Sequence, residues 1–377
     1  MVIKPAYKSI NGDYVFSKCI AEAEKYKSEN KIKLIDLSVG DVCLPPIKSV
    51  SRALKKAVRK YLSNAGFSGY PPDEGYMPLR RAISEDYKRQ GAYVYPEEIF
   101  INTGAKPALS DILEIADFSR AFIHSPVYPL YGELCAARNI NTDVFCNLPD
   151  ISENSPIANI FNDKDLFFLC SPCNPTGESF NLDFLKNVIH AANKNYGAVI
   201  IDGAYAAFKK DYLCPYNIAS AEKSVIEIRS YSKSLSFTGL RCGYVVIKKQ
   251  NPLHEPFKKM LTLKHNGVNI LAQKAALGVY SQKGFKELKY RIDYYEKNAQ
   301  ILLEPFLRRG FSAMHGEAPY VFVKTKTSGE EFTKELLNRF GILVCPGAAF
   351  GGNEYIRLSC LCKREQAENV AKRLATL

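Results

Sequence analysis

The sequence predicts an α/β fold, with a large domain built on a mainly parallel central sheet and a smaller α+β domain. Short apolar runs alternate with amphipathic stretches from about residue 95 to residue 250, which indicates strands that alternate with helices. After residue 275 this alternation stops, and long helices are followed by isolated strand-like runs. The length of 377 residues is enough for two hydrophobic cores.

Short apolar runs are the candidate strands of the central sheet. Several of them lack alternation of apolar and polar residues, as expected for strands that are buried on both faces. The runs cover residues 99–101, 121–123, 166–170, 198–201, 225–228 and 244–247. Between two of these runs, residues 182–195 carry apolar side chains at helical spacing, and Gly197 follows as a stop signal.

The region after residue 275 predicts the smaller domain. Helices are predicted over residues 285–307, near 330–339 and from about 365 to 375, and strands over 320–323, 342–344 and 355–358. Residues 1–45 have no sheet of their own and are expected to form an N-terminal arm that joins this domain. We therefore expect a large domain over 46–275 and a small C-terminal domain over 276–377.

Composition narrows the possible partners and the compartment. The formal charge of +12 comes from lysine and arginine residues that are scattered in small clusters, so we expect solvated faces rather than a nucleic-acid surface. No stretch is apolar enough for a membrane span. Eleven irregularly spaced cysteines favour a reducing cytoplasm, and neither they nor the isolated histidines have the spacing of a metal site.

Polar or glycine-rich turns follow the predicted strands, at the edge where parallel sheets bind ligands. The turn 102–106 opens a helix near Pro107, and such a turn offers backbone N–H groups to a phosphate, although many turns look similar. Tyr128 follows the next run and supplies a ring that can stack on a flat ligand. Asn174 lies between two prolines that aim its amide, although turn formation alone explains such a sequence.

Asp202 and Lys233 complete the candidate site. Asp202 ends a strand, where a carboxylate partners a cation or ring nitrogen and equally often caps a helix. The stretch SYSKSLSFTGLRCGY supplies Ser230, Ser232, Lys233 and Arg241. Together these groups are suited to a phosphorylated pyridine aldehyde: the lysine forms a Schiff base, the aspartate partners the ring nitrogen, and the arginine and hydroxyls bind the phosphate.

The order and spacing of these motifs resemble the fold-type I pyridoxal-phosphate aminotransferases. The motifs are TGAKPALSD, SPVYPLY, CSPCNPTG, IDGAY and SYSKSLSFTGLRCGY. Within that superfamily the chain is most similar to the LL-diaminopimelate aminotransferase family, through LIDLSVGD, SGYPPDEGYMPLR, KHNGVN, GEAPYVFVK, PGAAFG and YIRLSCLCKRE. The resemblance implies a homodimer with shared active sites and an enzyme that moves an amino group between LL-diaminopimelate and 2-oxoglutarate, in lysine and peptidoglycan precursor synthesis.

The resemblance also assigns roles by position. It implies that Lys233 is the Schiff-base lysine and proton carrier of a ping-pong reaction, with Asp202 and Tyr205 as its catalytic partners. Cofactor binding is implied for Ala105, Lys106, Tyr128, Asn174, Asp202, Tyr205, Ser230, Ser232, Lys233, Arg241 and, from a second subunit, Tyr70. Substrate binding is implied for Gly40, Asn174, Arg357, Tyr14, Asp73, Lys106 and Asn266. Arg357 is expected to hold the α-carboxylate as a two-pronged donor.

The sequence departs from the family pattern beside the expected substrate. Val42 and Cys43 stand where the family has two threonines, and Tyr244 stands where it has tryptophan. The connection between Lys248 and Lys259 is shorter than expected for the family. These departures leave open that the protein is an aminotransferase with a different amino-acid substrate. A lyase or decarboxylase with the same cofactor is also left open, because a fold does not fix the reaction. A non-catalytic regulator is disfavoured because residues 1–45 show no helix-turn-helix.

Overall fold

A seven-stranded sheet forms the centre of the chain. The computed structural model describes residues 15–29, 33–146 and 162–375. The strands are β2 (Ile99–Asn102), β3 (Arg120–Ser125), β4 (Asn141–Cys146), β5 (Asp165–Cys170), β6 (Ala198–Gly203), β7 (Val225–Ser230) and β8 (Gly243–Ile247). They lie in the order β2-β8-β7-β6-β5-β3-β4. Because only β8 runs antiparallel to its neighbours, the other strands end at one common edge of the sheet.

Helices pack on both faces of this sheet, as its continuously apolar strands require. They are α2 (Lys48–Tyr61), α3 (Met77–Arg89), α4 (Ala105–Ile115), α5 (Leu130–Ala136), α6 (Leu182–Lys194), α7 (Ala221–Ser224), α8 (His254–Lys264) and α9 (Ile270–Ala276). The start of α6 shows a local cause of helix formation, because the Asn181 side chain accepts a hydrogen bond of 2.8 Å from the Phe184 N–H.

A second, smaller sheet is formed by the C-terminal part of the chain. Its strands are β9 (Ala313–Met314), β10 (Tyr320–Lys324), β12 (Cys345–Pro346) and β13 (Tyr355–Ser359), in the order β12-β13-β10-β9. The helices around it are α1 (Val15–Glu29), α10 (Gln282–Leu307), α11 (Gly329–Phe340) and α12 (Arg364–Leu374). The short strands β1 (Ile35–Asp36) and β11 (Ile342–Leu343) pair in parallel, so residues near the N-terminus pack with this part of the chain.

The predicted fold class is confirmed, and the differences are local. Each apolar run of the central region is a strand, but β4 was missed because residues 141–146 include exposed polar side chains at the edge of the sheet. The helix expected from Pro107 begins at Ala105. The run 342–344 forms a shorter strand than expected. The proposed domain boundaries remain predictions.

The long helix α10 is the natural candidate for a membrane segment by length alone. It carries many charged side chains, and none of the helices in the described part of the chain combines the length and apolarity that crossing a bilayer requires.

Candidate active site

A cavity of about 420 Å³ lies at the common edge where the strands of the large sheet end. The ends of β2, β3, β5, β6 and β7 supply one wall, and the smaller sheet supplies Tyr320 and Arg357 on the other. Many of the predicted site residues line it: Gly40, Ala105, Lys106, Tyr128, Asn174, Asp202, Tyr205, Ser230, Ser232, Lys233, Arg241 and Arg357. The topology therefore brings together residues that are separated by more than three hundred positions in sequence.

Lys233 lies in the loop after β7 and is partly buried. Its Nζ donates a hydrogen bond to the Gly40 carbonyl oxygen. The pKa of Lys233 is lowered to about 8, mainly by burial and also by the positive charges of Arg357 and Arg241, while the Asp41 carboxylate opposes this shift. A lysine with this pKa has a neutral, nucleophilic amine in a sizeable fraction of molecules near neutral pH.

Asp202 lies near the end of β6 and is buried. One carboxylate oxygen accepts a hydrogen bond of 2.9 Å from the Tyr131 hydroxyl, and the other accepts one of 2.9 Å from the Ala204 N–H. These two donors fix the orientation of the carboxylate. Burial raises the pKa of Asp202, although both hydrogen bonds act against that shift.

The turn before α4 is built to admit an anion. Gly104 has a φ of 115°, and a Cβ there would lie 2.6 Å from Arg241 Nη2, so the guanidinium fits directly over the glycine backbone. The Asn102 side chain accepts a hydrogen bond of 2.7 Å from the Gly104 N–H. Arg241 donates to the Ser232 hydroxyl at 3.3 Å. A guanidinium, a hydroxyl and the first N–H groups of a helix thus converge on one corner of the cavity.

Arg357 lies on β13 and is 1% exposed. Its Nη1 donates to Asn174 Oδ1 at 2.9 Å, and its Nη2 donates to the Ser38 carbonyl oxygen. Its Nε has no hydrogen-bond partner among the residues that the structure describes. The guanidinium also lies 4.5 Å from the centre of the Tyr320 ring. Both recorded acceptors are neutral oxygens, and none of the ion pairs in the described residues involves Arg357, so this buried cation has its full charge available for a carboxylate.

Tyr205 joins the two walls of the cavity. Its hydroxyl lies 2.8 Å from the Tyr320 hydroxyl. Burial raises the pKa of Tyr205 well above its usual value, so the phenol is protonated at neutral pH. Gly40 lies against this pair of hydroxyl groups, because a Cβ at this position would meet the Tyr320 hydroxyl oxygen at 2.4 Å. A side chain at residue 40 would therefore displace the Tyr320 hydroxyl.

The remaining predicted residues lie elsewhere. Tyr70, Asp73 and Asn266 do not line the cavity, as far as the described residues delimit it, and the Tyr70 side chain is 85% exposed. Tyr14 lies outside the described residues. All four were expected to act across a subunit interface or at the far end of the substrate, and these roles remain predictions.

Sequence reasoning gave no role to several residues that shape the cavity. Tyr131 orients Asp202, and Tyr320 contacts both Tyr205 and Arg357. Each tyrosine lies inside a motif that was used for the resemblance, SPVYPLY and GEAPYVFVK, so the available signal was its position in the motif. Asp41 lines the cavity as well and carried no assignment.

The substituted side chains of Val42, Cys43 and Tyr244 do not line the cavity, as far as the described residues delimit it. Val42 and Cys43 pack against an apolar cluster that includes Phe208 and Leu361, and neither is among the described residues that line the cavity. Tyr244 is a buried core residue on β8. The altered side chains therefore change the packing behind the cavity wall.

Comparison with known proteins agrees with this geometry. The profile of the family described as aminotransferase class I and II matches residues 32–374. The LL-diaminopimelate aminotransferase of Desulfotalea psychrophila is 35% identical over 408 residues, covering 100% of this chain and 98% of that protein. The enzyme of the same name from Phocaeicola vulgatus is 33% identical, covering 99% of this chain and 98% of that protein.

Solved structures show the same fold. The L,L-diaminopimelate aminotransferase of Chlamydomonas reinhardtii superposes with a TM-score of 0.90 at 27% identity, covering 99% of this chain and 98% of that chain. The aspartate aminotransferase of Thermus thermophilus superposes with a TM-score of 0.86 at 20% identity, covering 100% of this chain and 99% of that chain, and at that identity the likeness concerns the fold alone.

Proposed function

The chain belongs to the class I and II aminotransferase family, and on that premise we propose that it is an LL-diaminopimelate aminotransferase that uses pyridoxal 5'-phosphate. The proposed reaction moves an amino group between LL-diaminopimelate and 2-oxoglutarate, giving tetrahydrodipicolinate, glutamate and water. This activity is expected to serve lysine biosynthesis. Support for the substrate comes from curated relatives of that name that match the full length of the chain at 33–35% identity.

The burial and the hydrogen-bond partners of Arg357 are the observation that supports an amino-acid substrate. A guanidinium that is 1% exposed and that, within the described ranges, is bonded only to neutral oxygens is unfavourable unless an anion joins it. An α-carboxylate is the anion that every amino acid and 2-oxoacid shares, and a planar guanidinium matches its geometry. We therefore assign Arg357 to the α-carboxylate, with Asn174 holding the guanidinium in place.

The residues present fit pyridoxal phosphate. The glycine turn at Gly104, the Arg241 guanidinium and the Ser232 hydroxyl suit the phosphate, and Ser230, Ala105 and Lys106 line the cavity beside them. In the proposal Asp202 pairs with the ring nitrogen, since a buried carboxylate that has no cationic partner in the described part of the chain favours a protonated ring. Further ring contacts are proposed for Tyr128, Asn174 and Tyr205.

The chemistry divides between the cofactor and the chain. When bound, pyridoxal phosphate supplies an aldehyde carbon for the amino group and a ring that takes up the electrons of the broken Cα–H bond. Lys233 holds the cofactor covalently at rest and afterwards carries the proton between its Nζ and the substrate Cα, for which its lowered pKa is suited. Arg357 orients the α-carboxylate so that the Cα–H bond faces Lys233.

We also propose a homodimer in the cytoplasm. Tyr70 is 85% exposed, and Asn266 is exposed as well, which is consistent with residues that a second subunit covers. In the proposal these two residues, together with Tyr14 and Asp73, complete the active site of the partner. Ten cysteines of the described part of the chain are free thiols, which supports a reducing compartment.

A substrate panel tests the proposal. The purified holoenzyme is assayed with 2-oxoglutarate and LL-diaminopimelate, aspartate, alanine or an aromatic amino acid as amino donor. We expect the highest kcat/KM with LL-diaminopimelate, and no turnover by Lys233→Ala. Turnover of a simpler amino acid with none of LL-diaminopimelate would support a different substrate, the alternative to which the Val42–Cys43 departure points.

Reduction with borohydride locates the cofactor on the chain. Mass spectrometry of the reduced, digested holoenzyme should find the pyridoxyl group on the peptide that contains Lys233. A pyridoxyl group on Lys106, which also lines the cavity, would contradict the assignment of the catalytic lysine.

A further inference from the structure

Tyr320 is a residue of the cavity wall to which the proposed function gives no role. Its side chain is 1% exposed and lines the cavity. It stands at the start of β10, where it pairs directly with Ser359 of β13. Arg357 lies two residues before Ser359 and on the same face of the sheet, because side chains alternate along a strand. Tyr320 and Arg357 are thus diagonal neighbours, a separation that an aromatic side chain can bridge.

The ring of Tyr320 packs on the Arg357 guanidinium. The centre of this ring lies 4.5 Å from Arg357 Cζ. The ring centres of Phe350 and Phe16 lie 4.8 Å and 5.1 Å from the same atom. The face of an aromatic ring attracts a cation, and the attraction is stronger where water is excluded. The three rings therefore restrict the orientations of a guanidinium whose recorded hydrogen-bond acceptors are neutral oxygens.

The hydroxyl of the same side chain contacts Tyr205. The two phenol oxygens are 2.8 Å apart, and the two rings meet edge to face. Burial raises the pKa of both tyrosines, so each phenol keeps its one proton at neutral pH. When Tyr320 donates its proton to the Tyr205 oxygen, the Tyr205 proton is free to be donated to a ligand oxygen in the cavity, and the first hydrogen bond strengthens the second. A Cβ at Gly40 would collide with the Tyr320 oxygen, so close packing holds this hydroxyl against Tyr205.

We propose that Tyr320 is a positioning residue for both halves of the reacting site. Its hydroxyl turns the Tyr205 proton toward the cofactor, and its ring fixes the Arg357 guanidinium for the α-carboxylate. The inference rests on the proposed function, since it requires pyridoxal phosphate beside Tyr205 and a carboxylate on Arg357. Different atoms of one side chain make the two contacts, so substitutions can remove them one at a time.

Three variants of the holoenzyme separate the two contacts. Tyr320→Phe removes the hydroxyl and keeps the ring, and Tyr320→Leu removes both. Phe350→Leu is the matched control, because it removes a ring from Arg357 and lies in a different apolar cluster from Tyr205. Two measurements need no turnover. The pH at which the visible absorbance of the bound cofactor changes reports on the hydrogen bond from Tyr205, and calorimetry with glutarate, a dicarboxylate without an amino or oxo group, reports on Arg357.

Each variant has its own expected result. In Tyr320→Phe the absorbance change should move to higher pH by about half a unit, because a weaker hydrogen bond from Tyr205 stabilises an anionic ring oxygen less. The Kd for glutarate should not change in this variant, since the ring over Arg357 remains. Tyr320→Leu should show the same shift in pH together with a Kd for glutarate raised about fivefold, and Phe350→Leu should show the rise in Kd alone.

Three results would contradict a positioning role. The first is an absorbance change at the wild-type pH in Tyr320→Phe, and the second is a wild-type Kd for glutarate in Tyr320→Leu. The third is an equal rise in Kd in Tyr320→Phe and Tyr320→Leu, which would mean that the hydroxyl binds the carboxylate directly. A purely structural role would lower Tm and move neither measurement. Should Tyr320→Leu fail to fold, Tyr320→Met, which fills more of the same volume, replaces it.

The same measurements distinguish failure of this inference from failure of the proposed function. Absence of a visible cofactor band in the wild-type protein would contradict the proposed function, and this inference with it. A wild-type protein that shows the band, with variants that move neither measurement, would contradict the inference alone.

Discussion

Replacement of Lys233 by methionine is expected to stabilise the cofactor-free protein at neutral pH. Methionine has a similar length and no charge, so it removes the cost of burying an ammonium group among the positive charges of Arg241 and Arg357. Folding lowers the pKa of Lys233 from 10.5 to about 8. One pKa unit corresponds to about 1.4 kcal/mol, which makes the cost about 3 kcal/mol as an upper limit for a partly buried group.

The direction of the change in stability, and the pH range over which it occurs, follow from proton binding by the folded and unfolded states. The unfolded lysine holds its proton up to about pH 10.5, while the folded one releases it near pH 8, so the unfolded state binds more protons between these values. Wild-type stability therefore rises with pH across this window. The cost is fully present below about pH 8 and absent above about pH 10.5. Loss of the hydrogen bond to Gly40 offsets about 1 kcal/mol of the gain in the variant.

Urea unfolding of the cofactor-free proteins at pH 7, 8, 9 and 10, at one protein concentration, measures the effect. Lys233→Met should be about 2 kcal/mol more stable than wild type at pH 7, and the advantage should shrink and reverse as pH approaches 10.5. Lys56→Met, at an exposed position of α2, should show no such pH-dependent difference. A variant that is less stable than wild type at pH 7, by an amount that does not change with pH, would refute the reasoning.

Other substitutions test the remaining groups. Asp202→Asn should lower kcat by at least about a hundredfold while the variant still binds the cofactor, which absorbance in the visible range would check. Arg357→Lys should raise KM about a hundredfold for every amino donor with a smaller change in kcat, because lysine cannot reproduce the two-pronged contact, and steady-state kinetics would measure it. Glu227→Ala should destabilise the protein by about 3–5 kcal/mol in urea unfolding, because the buried Glu227 carboxylate accepts hydrogen bonds from two tyrosine hydroxyls and from the Arg229 guanidinium.

The strands of the large sheet were predictable because burial on both faces requires continuous apolar runs. The edge strand β4 covers one neighbour only, and its polar, exposed residues carry no such signal. The direction of β8 was not predictable either, because a buried parallel strand and a buried antiparallel strand have the same apolar pattern. Strand position in a sheet and strand direction depend on long-range pairing rather than on local composition.

The candidate site also contains residues that the sequence could place and residues that it could not. Asp202 and Lys233 could be placed together because the ends of parallel strands meet at one edge, whatever their distance in sequence. Arg357 comes from the smaller sheet, and only the resemblance to a known family linked it to the others. Tyr131 and Tyr320 act through their hydroxyl contacts with other site residues, and such contacts depend on side-chain orientation that no periodicity encodes.

The environment of Asp202 gives the proposed cofactor site a preference for charge. Burial raises the pKa of Asp202, and within the described residues no ion pair relieves it. Whatever brings a positive charge to this carboxylate lowers its pKa, and by linkage the carboxylate increases the affinity for that charged ligand by the same free energy. Tyr131 and Ala204 donate to the two carboxylate oxygens and keep them directed at the cavity. On the proposed assignment a neutral aromatic ring would gain nothing from this arrangement, whereas a ring with a protonated nitrogen would, so Asp202 would discriminate by charge where the proposed stacking and phosphate contacts discriminate by shape.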